Sequence, residues 1–257
     1  MGFEQSVAWW CFEREDIDAP DLLDTVKAVG YSGVELVPVD KFQMVCDTGL
    51  KIVADSLFAK IEQGINNTRY WDTIKRQAEK NLKLAQQWDI PNLIVFSGNR
   101  AGVDDETGAE NAIKLLEQLA SDAESADVTL VLELLNSKVD HPDYMADHTD
   151  WGVKVVSAVN SPKVRLLYDI YHMQVMEGDV IQTIRDNHQW FAHYHTAGVP
   201  GRHEIDETQE LNYRPICQAI AAAGYSGYVG QEFIPTGGDW KAALHQAYDV
   251  CNINGLT

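Results

Sequence analysis

The sequence predicts an α/β fold, a single (β/α)8 barrel of the TIM type, from three observations. Short β-rich runs alternate with longer helical ones eight times along 257 residues. Several of the short runs are apolar on both faces, as strands of a parallel sheet covered on both sides must be. A doubly wound open sheet would place a Gly-rich turn after the first strand, but the chain there reads Cys11-Phe12-Glu13-Arg14.

The strands are expected at Ser6–Trp10, Gly33–Val37, Lys51–Leu57, Asn92–Ser97, Thr129–Leu135, Val164–Ile170, Trp190–Thr196 and Tyr228–Ile234. Leu93-Ile94-Val95-Phe96 and Thr129-Leu130-Val131-Leu132 are the runs apolar on both faces. Helices lie between them. Ala19–Val29 is opened by Pro20 and closed by Gly30. Tyr70–Trp88 repeats Ile74, Ala78, Leu82 and Ala85 at three- and four-residue spacing, and Glu106–Ala126 does the same with Ile113, Leu116 and Leu119. Thr149–Val159, Asp179–Asp186, Leu211–Ala223 and Asp239–Asn252 follow, and Asp40–Asp47 is the weakest helix. Gly30-Tyr31-Ser32-Gly33 is echoed by Gly224-Tyr225-Ser226-Gly227, each a glycine that ends a helix before a short turn into a strand. No linker or low-complexity segment divides the chain, so residues 1–257 are expected to form one domain.

Composition narrows the function. Twenty Lys+Arg stand against 39 Asp+Glu, a formal net charge of -19. A surface this acidic repels phosphates, so nucleic acid is not an expected partner. With 45% apolar and 23% charged residues the chain is ordinary for a soluble globular protein. No apolar run approaches the ~20 residues of a membrane helix, so no membrane partner is expected either. Met1–Ser6 lacks a basic segment followed by an apolar one, and a secretory signal is not expected. Cys11, Cys46, Cys217 and Cys251 form no Cys-x-x-Cys pair and read as reduced, buried thiols of a cytoplasmic protein.

Charges at the ends of otherwise apolar strands carry the functional signal, because an unpaired charge in a dry barrel costs several kcal/mol. Active sites of barrels sit at that C-terminal rim. Glu133 interrupts Val131-Leu132-Glu133-Leu134-Leu135, Asp169 ends the next strand, His195 follows His193 on the same face of the seventh, and Glu232 ends the eighth. Adjacent strands are about 5 Å apart, so these ends converge. Two glutamates and an aspartate facing inward repel one another without a cation. A divalent metal held by Glu133, Asp169, His195 and Glu232 removes the conflict; the oxygen-rich donor set favours Mg²⁺ or Mn²⁺ and leaves Zn²⁺ and Co²⁺ open. His172 stands three residues after Asp169, and Arg202 in Gly198–Glu204 is a natural partner for a substrate carboxylate or hydroxyl. Asn136, Ser137 and Lys138 follow the fifth strand, with Lys138 able to reach an anionic substrate; Arg100 follows the fourth as another candidate anion contact. Trp9, Trp10 and Phe12 are candidates for pocket wall or core, and His203 and Glu204 for support of the site or plain surface.

Four stretches carry a family resemblance: Glu133-Leu134-Leu135-Asn136-Ser137-Lys138-Val139-Asp140, Tyr168-Asp169-Ile170-Tyr171-His172-Met173-Gln174, Ala197-Gly198-Val199-Pro200-Gly201-Arg202-His203-Glu204, and Gly230-Gln231-Glu232-Phe233. With these the sequence resembles the hydroxypyruvate isomerase family, within the xylose-isomerase-like barrel superfamily that also holds ketose 3-epimerases and endonuclease IV. The resemblance spans essentially the whole chain. It implies a (β/α)8 barrel in which Glu133 and Glu232 are both acid/base catalysts and metal ligands, Asp169 and His195 complete the metal shell, and His172 and Arg202 contact substrate oxygens. It also implies the interconversion of hydroxypyruvate and tartronate semialdehyde through an enediolate. Related isomerases carry Gln at the position of His195 and epimerases carry His, so a sugar or sugar-acid isomerase or a ketose 3-epimerase stays open. The substrate expected is a small anionic hydroxy-oxo acid or a sugar. A homo-oligomer is left open. A non-catalytic binding protein is disfavoured by the two intact strand-end glutamates, and an endonuclease by the acidic surface.

Overall fold

The computed structural model describes residues 2–253. Eight parallel strands close into a barrel in sequence order, β1 through β8. They are β1 (Glu4–Ala8), β2 (Gly33–Glu35), β3 (Lys51–Ser56), β4 (Asn92–Val95), β5 (Thr129–Glu133), β6 (Val164–Asp169), β7 (Phe191–Thr196) and β8 (Tyr228–Gln231). The α-helices are α1 (Ala19–Val29), α2 (Phe42–Thr48), α3 (Trp71–Gln87), α4 (Asp105–Ala126), α5 (Thr149–Val159), α6 (Ile170–Met176), α7 (Val180–Asn187), α8 (Tyr213–Ala222) and α9 (Trp240–Cys251).

Local chemistry explains the boundaries. Pro20 stands in the first turn of α1, and Gly30 ends it in the left-handed conformation at φ 117°, a position where a Cβ is strained. Asp104 caps α4 by accepting from Thr107 N–H, and Asp239 caps α9 by accepting from Ala242 N–H. On α3, Ile74, Ala78, Leu82 and Ala85 are buried, as their spacing predicts. Leu93–Val95 and Leu130–Leu132 are buried throughout, as strands covered on both faces should be.

The differences from expectation lie at strand ends. The run expected to end β1 at Trp10 winds into a 3-10 turn over Trp9–Phe12. β2 stops at Glu35 because Leu36 takes a positive φ of 56°. β6 passes straight into α6, a helix the sequence reading did not predict; Asp169 ends the strand and caps the helix, its Oδ1 accepting from His172 N–H at 3.1 Å. Cys11, Cys217 and Cys251 are buried but Cys46 is exposed on α2, so the buried-thiol reading fails at that one position.

The contacts of the chain gather into two compact units, the division falling within β3 and within β7. One takes in β1, β2, β8, the end of β7 and helices α1, α2, α7, α8 and α9. In it Ser6 pairs with Gly33 and with Gly230, and His195 pairs with Gly230. The other takes in β4, β5, β6 and α3 to α6. There Glu133 pairs with Leu167, and Tyr144 Oη donates to the Glu133 carbonyl at 2.9 Å while accepting from Ser97 N–H at 2.9 Å. This second unit depends on a glycine for close packing. A Cβ on Gly64 would lie 2.1 Å from Gly98 N and 2.2 Å from Ser97 C, backbone that cannot swing aside. Gly64→Ala should therefore cost about 1–3 kcal/mol, read as a lower Tm in thermal unfolding; an unchanged Tm would show that the two segments can separate freely.

Candidate functional site

Glu133 and Asp169 are the last residues of β5 and β6, His195 is next to last in β7, and Glu232 directly follows β8. Each is at least nine-tenths buried. Each offers one ligand atom, and the four atoms lie within 4.8 Å of one another. The four residues that the sequence reading grouped are thus brought together. Three carboxylates and an imidazole, all buried, form a donor set suited to a divalent cation. His195 Nδ1 lies 2.7 Å from Glu232 Oε2. Neighbouring ligands of one octahedral ion, at bond lengths of about 2.1 Å, sit about 3 Å apart, so the pair fits such an ion.

Glu232 is the most heavily supported of the four. Trp10 Nε1 donates to its Oε1 at 2.8 Å, and Arg202 donates to its Oε2 at 2.6 Å. Burial alone would raise its pKa, but the Arg202 charge, His195 and the Trp10 indole together hold the carboxyl well below the usual carboxylate range. Arg202 stacks over the Trp10 ring at 5.4 Å. Its backbone is left-handed at φ 60°, a strained conformation for a non-glycine residue. Two backbone bonds hold it there: its N–H donates to Gly198 O at 2.9 Å, and Ile234 N–H donates to its carbonyl at 2.8 Å. Arg202 is thus bound to Glu232. Trp10, 39% exposed, stands at the site through its bond to Glu232, whereas Trp9 and Phe12 are core.

His172 is wholly buried on α6. Asn136 N–H donates to its Nδ1 at 3.1 Å, so the neutral ring carries its proton on Nε2, 3.7 Å from Asp169 Oδ2. Asn136, expected to contact substrate, is itself buried: its Nδ2 lies 2.6 Å from His172 Nδ1 and 2.6 Å from Asp140 Oδ2. It positions His172.

Two other candidates for substrate contact make bonds within the protein. The donors of Arg100, proposed for an anionic substrate, go to protein: Asp105 at 2.8 Å, Asp147 at 3.2 Å, and the Tyr144 carbonyl. It clamps the loop after β5. Lys138 is exposed, with Nζ 3.4 Å from the Val175 carbonyl. His203 Nδ1 lies 3.0 Å from Ile234 O, and Glu204 accepts from Thr236 N–H at 2.8 Å, so both tie the Arg202 loop to the segment after β8.

Sequence reasoning missed two members of the site. The sequence does not decide Trp10 between wall and core. Glu35 was not considered, although it stands at the end of an apolar strand as Glu133 does; it is wholly buried, with Oε2 2.9 Å from His195 Nε2. Glu35, His193 and His195 form a second group whose ligand atoms lie within 4.8 Å.

Fold and site together define a class: a parallel (β/α)8 barrel with a candidate metal centre at the C-terminal ends of its strands. The chain belongs to the xylose isomerase-like TIM barrel family, which residues 23–250 match. It is 35% identical over 126 residues to the 2-oxo-tetronate isomerase of Cupriavidus necator, a match spanning 48% of each chain. It is 29% identical to a Homo sapiens protein named, provisionally, a hydroxypyruvate isomerase, over 92% of this chain and 91% of that one. Among solved structures it resembles an AP endonuclease, family 2, from Brucella melitensis, with TM-score 0.83, 26% identity and coverage of 94% and 97% of the two chains. A D-psicose 3-epimerase from Clostridium cellulolyticum H10, at 17% identity, shares the fold with TM-score 0.76 over 97% and 98% of the two chains. No helix among the described residues is long and apolar enough to cross a membrane.

The Arg100 clamp has a pH signature. Burial pushes the Asp147 carboxyl up, but bonds from Ser137, His148 and Arg100 outweigh it and leave its pKa lowered. A depressed carboxyl contributes stability above its unfolded value of about 3.9, and that stability is lost as pH falls through the folded pKa. Arg100→Met should cost about 1.5–3 kcal/mol at pH 7, and the difference from native should shrink in denaturant titrations below about pH 4. A difference independent of pH would contradict the pairing.

Proposed function

We propose that the protein is a metal-assisted isomerase of small sugar acids, with hydroxypyruvate and tartronate semialdehyde as its substrate pair. The observation that carries the reading is the buried convergence of Glu133, Asp169, His195 and Glu232. The names of the relatives support a sugar-acid isomerase as the broader class.

Moving a carbonyl to the neighbouring carbon requires removal of a proton from a weakly acidic C–H and its return one carbon away. Glu133, Asp169, His195 and Glu232 would hold the ion, which when bound polarises the two substrate oxygens and offsets the negative charge that develops on them. One of Glu133 and Glu232 takes the proton from C3 of hydroxypyruvate; the other assists delivery to C2 and transfer between the two oxygens. No oxidant is needed: one proton moves from C3 to C2 and another from the C3 oxygen to the C2 oxygen, so C3 is oxidised as C2 is reduced. Arg202 and the Trp10 indole keep Glu232 ionised and oriented. Arg202 also places a cation beside the site, where it would meet the substrate carboxylate. His172, with its proton on Nε2, would donate to a substrate oxygen. A nuclease activity fits poorly, since the chain carries a formal net charge of -19.

The test is an isomerisation screen with Mg²⁺ and with Mn²⁺ across hydroxypyruvate, 2-oxo-tetronates and ketohexoses. Turnover is expected on the three-carbon acid, lost on exhaustive chelation, with kcat reduced about 10²–10⁴-fold in Glu133→Gln and Glu232→Gln. Turnover confined to ketohexoses would replace this reading with a 3-epimerase. Full activity in both variants would overturn the glutamate mechanism altogether.

A further inference from the structure

Glu35 is wholly buried, and a carboxylate in such a place needs donors around it. Ser6 Oγ donates to its Oε1 at 2.7 Å, and His195 Nε2 lies 2.9 Å from its Oε2. An ionised carboxylate can only accept, so Nε2 is the donor. The other nitrogen of the same ring, Nδ1, lies 2.7 Å from Glu232 Oε2 and without an ion donates to that carboxylate; a bound ion would take the place of that proton. The imidazole therefore spans two carboxylates, one at the candidate metal centre and one behind it.

The barrel is shaped around this contact. Ser6 on β1 pairs with Gly230 on β8, and Gly230 pairs with His195 on β7. A Cβ on residue 230 would lie 2.1 Å from Glu35 Oε1 and 2.9 Å from His195 Cδ2. Glycine at 230 leaves the space in which Glu35 and His195 meet.

We propose that Glu35 is a positioning residue for His195: its carboxylate holds the Nε2 proton, fixes the tautomer and the ring plane, and so presents Nδ1 as the metal-binding atom beside Glu232. The proposal rests on the metal-centre reading above. Its physical basis is general, since the hydrogen bond made by one ring nitrogen decides what the other can do, and a carboxylate acceptor raises ligand basicity. Without an acceptor at residue 35 the ring can take the Nδ1–H tautomer, which has no lone pair to give to a metal.

The experiment uses the full chain, Mn²⁺ alone as probe, and the variants Glu35→Gln and Glu35→Met. Gln keeps an acceptor oxygen without the charge, and Met removes both. Mn²⁺ affinity, measured by the paramagnetic resonance signal of the unbound ion, is expected to fall about 10-fold in Gln and about 100-fold in Met. Proton–nitrogen correlation spectra of the metal-stripped protein should show a proton on His195 Nε2 in native protein, beside the one on Nδ1 that faces Glu232, with the Nε2-protonated population reduced in Glu35→Met. A purely structural role would shift the Tm of the stripped protein and leave Mn²⁺ affinity below that Tm unchanged. Affinity within twofold of native in the Gln and Met variants overturns the proposal; if Glu35→Met does not fold, Glu35→Gln alone decides by the same criterion. Two bound ions per native chain, one lost in the Glu35 variants, also overturns it, because Glu35 would then be a ligand. Absence of Mn²⁺ binding by the native protein defeats the metal-centre reading itself, and this proposal with it.

Discussion

Burying like charges together is the constraint around which this barrel is organised. Glu133, Asp169 and Glu232 lie almost wholly out of water with their oxygens a few ångströms apart, and only His195 joins them as a nitrogen donor. At such separations in a poorly polarisable interior the repulsion amounts to several kcal/mol per pair, even with generous dielectric screening. A fold keeps such an arrangement when something positive enters it. Arg202 supplies one positive charge, bound to Glu232. A divalent cation held by the four residues would balance the rest.

The protein's own share of the chemistry is therefore orientation. Glu232 accepts from Trp10 and Arg202, His172 is held by Asn136, Asp169 is fixed as a helix cap, and the carbonyl of Glu133 is tied to Tyr144. These supports come from residues at or just beyond strand ends, where backbone direction changes and side chains are freed from the sheet's alternation. Rigid strands set the spacing of the groups, and the loops fix their rotamers. A site built this way approaches charge development with little rearrangement left to make.

The fold was legible in the sequence because it rests on periodicity: the α3 stripe of Ile74, Ala78, Leu82 and Ala85 and the doubly buried β4 and β5 runs each point to one structure. The four candidate ligands were legible for a related reason, since a charge in an apolar strand stands out against its neighbours. What could not be read was which polar side chain meets which. Arg100 and Asn136 have the right chemistry for a substrate, and only the loop conformations show that Asp105, Asp147 and His172 claim them. Helix α6 was hidden because Tyr171-His172-Met173 continues an apolar run, and its start depends on one capping contact from Asp169. Glu35 carries the same signal as Glu133, a charge among Val34, Leu36 and Val37 in the expected strand Gly33–Val37, and so was within reach of the sequence.

The most direct measurement is anomalous X-ray diffraction from crystals of the protein grown with Mn²⁺. One strong peak is expected, with oxygens of Glu133, Asp169 and Glu232 and Nδ1 of His195 about 2.0–2.3 Å from it. An empty site at saturating Mn²⁺, with peaks only among surface carboxylates, would contradict it.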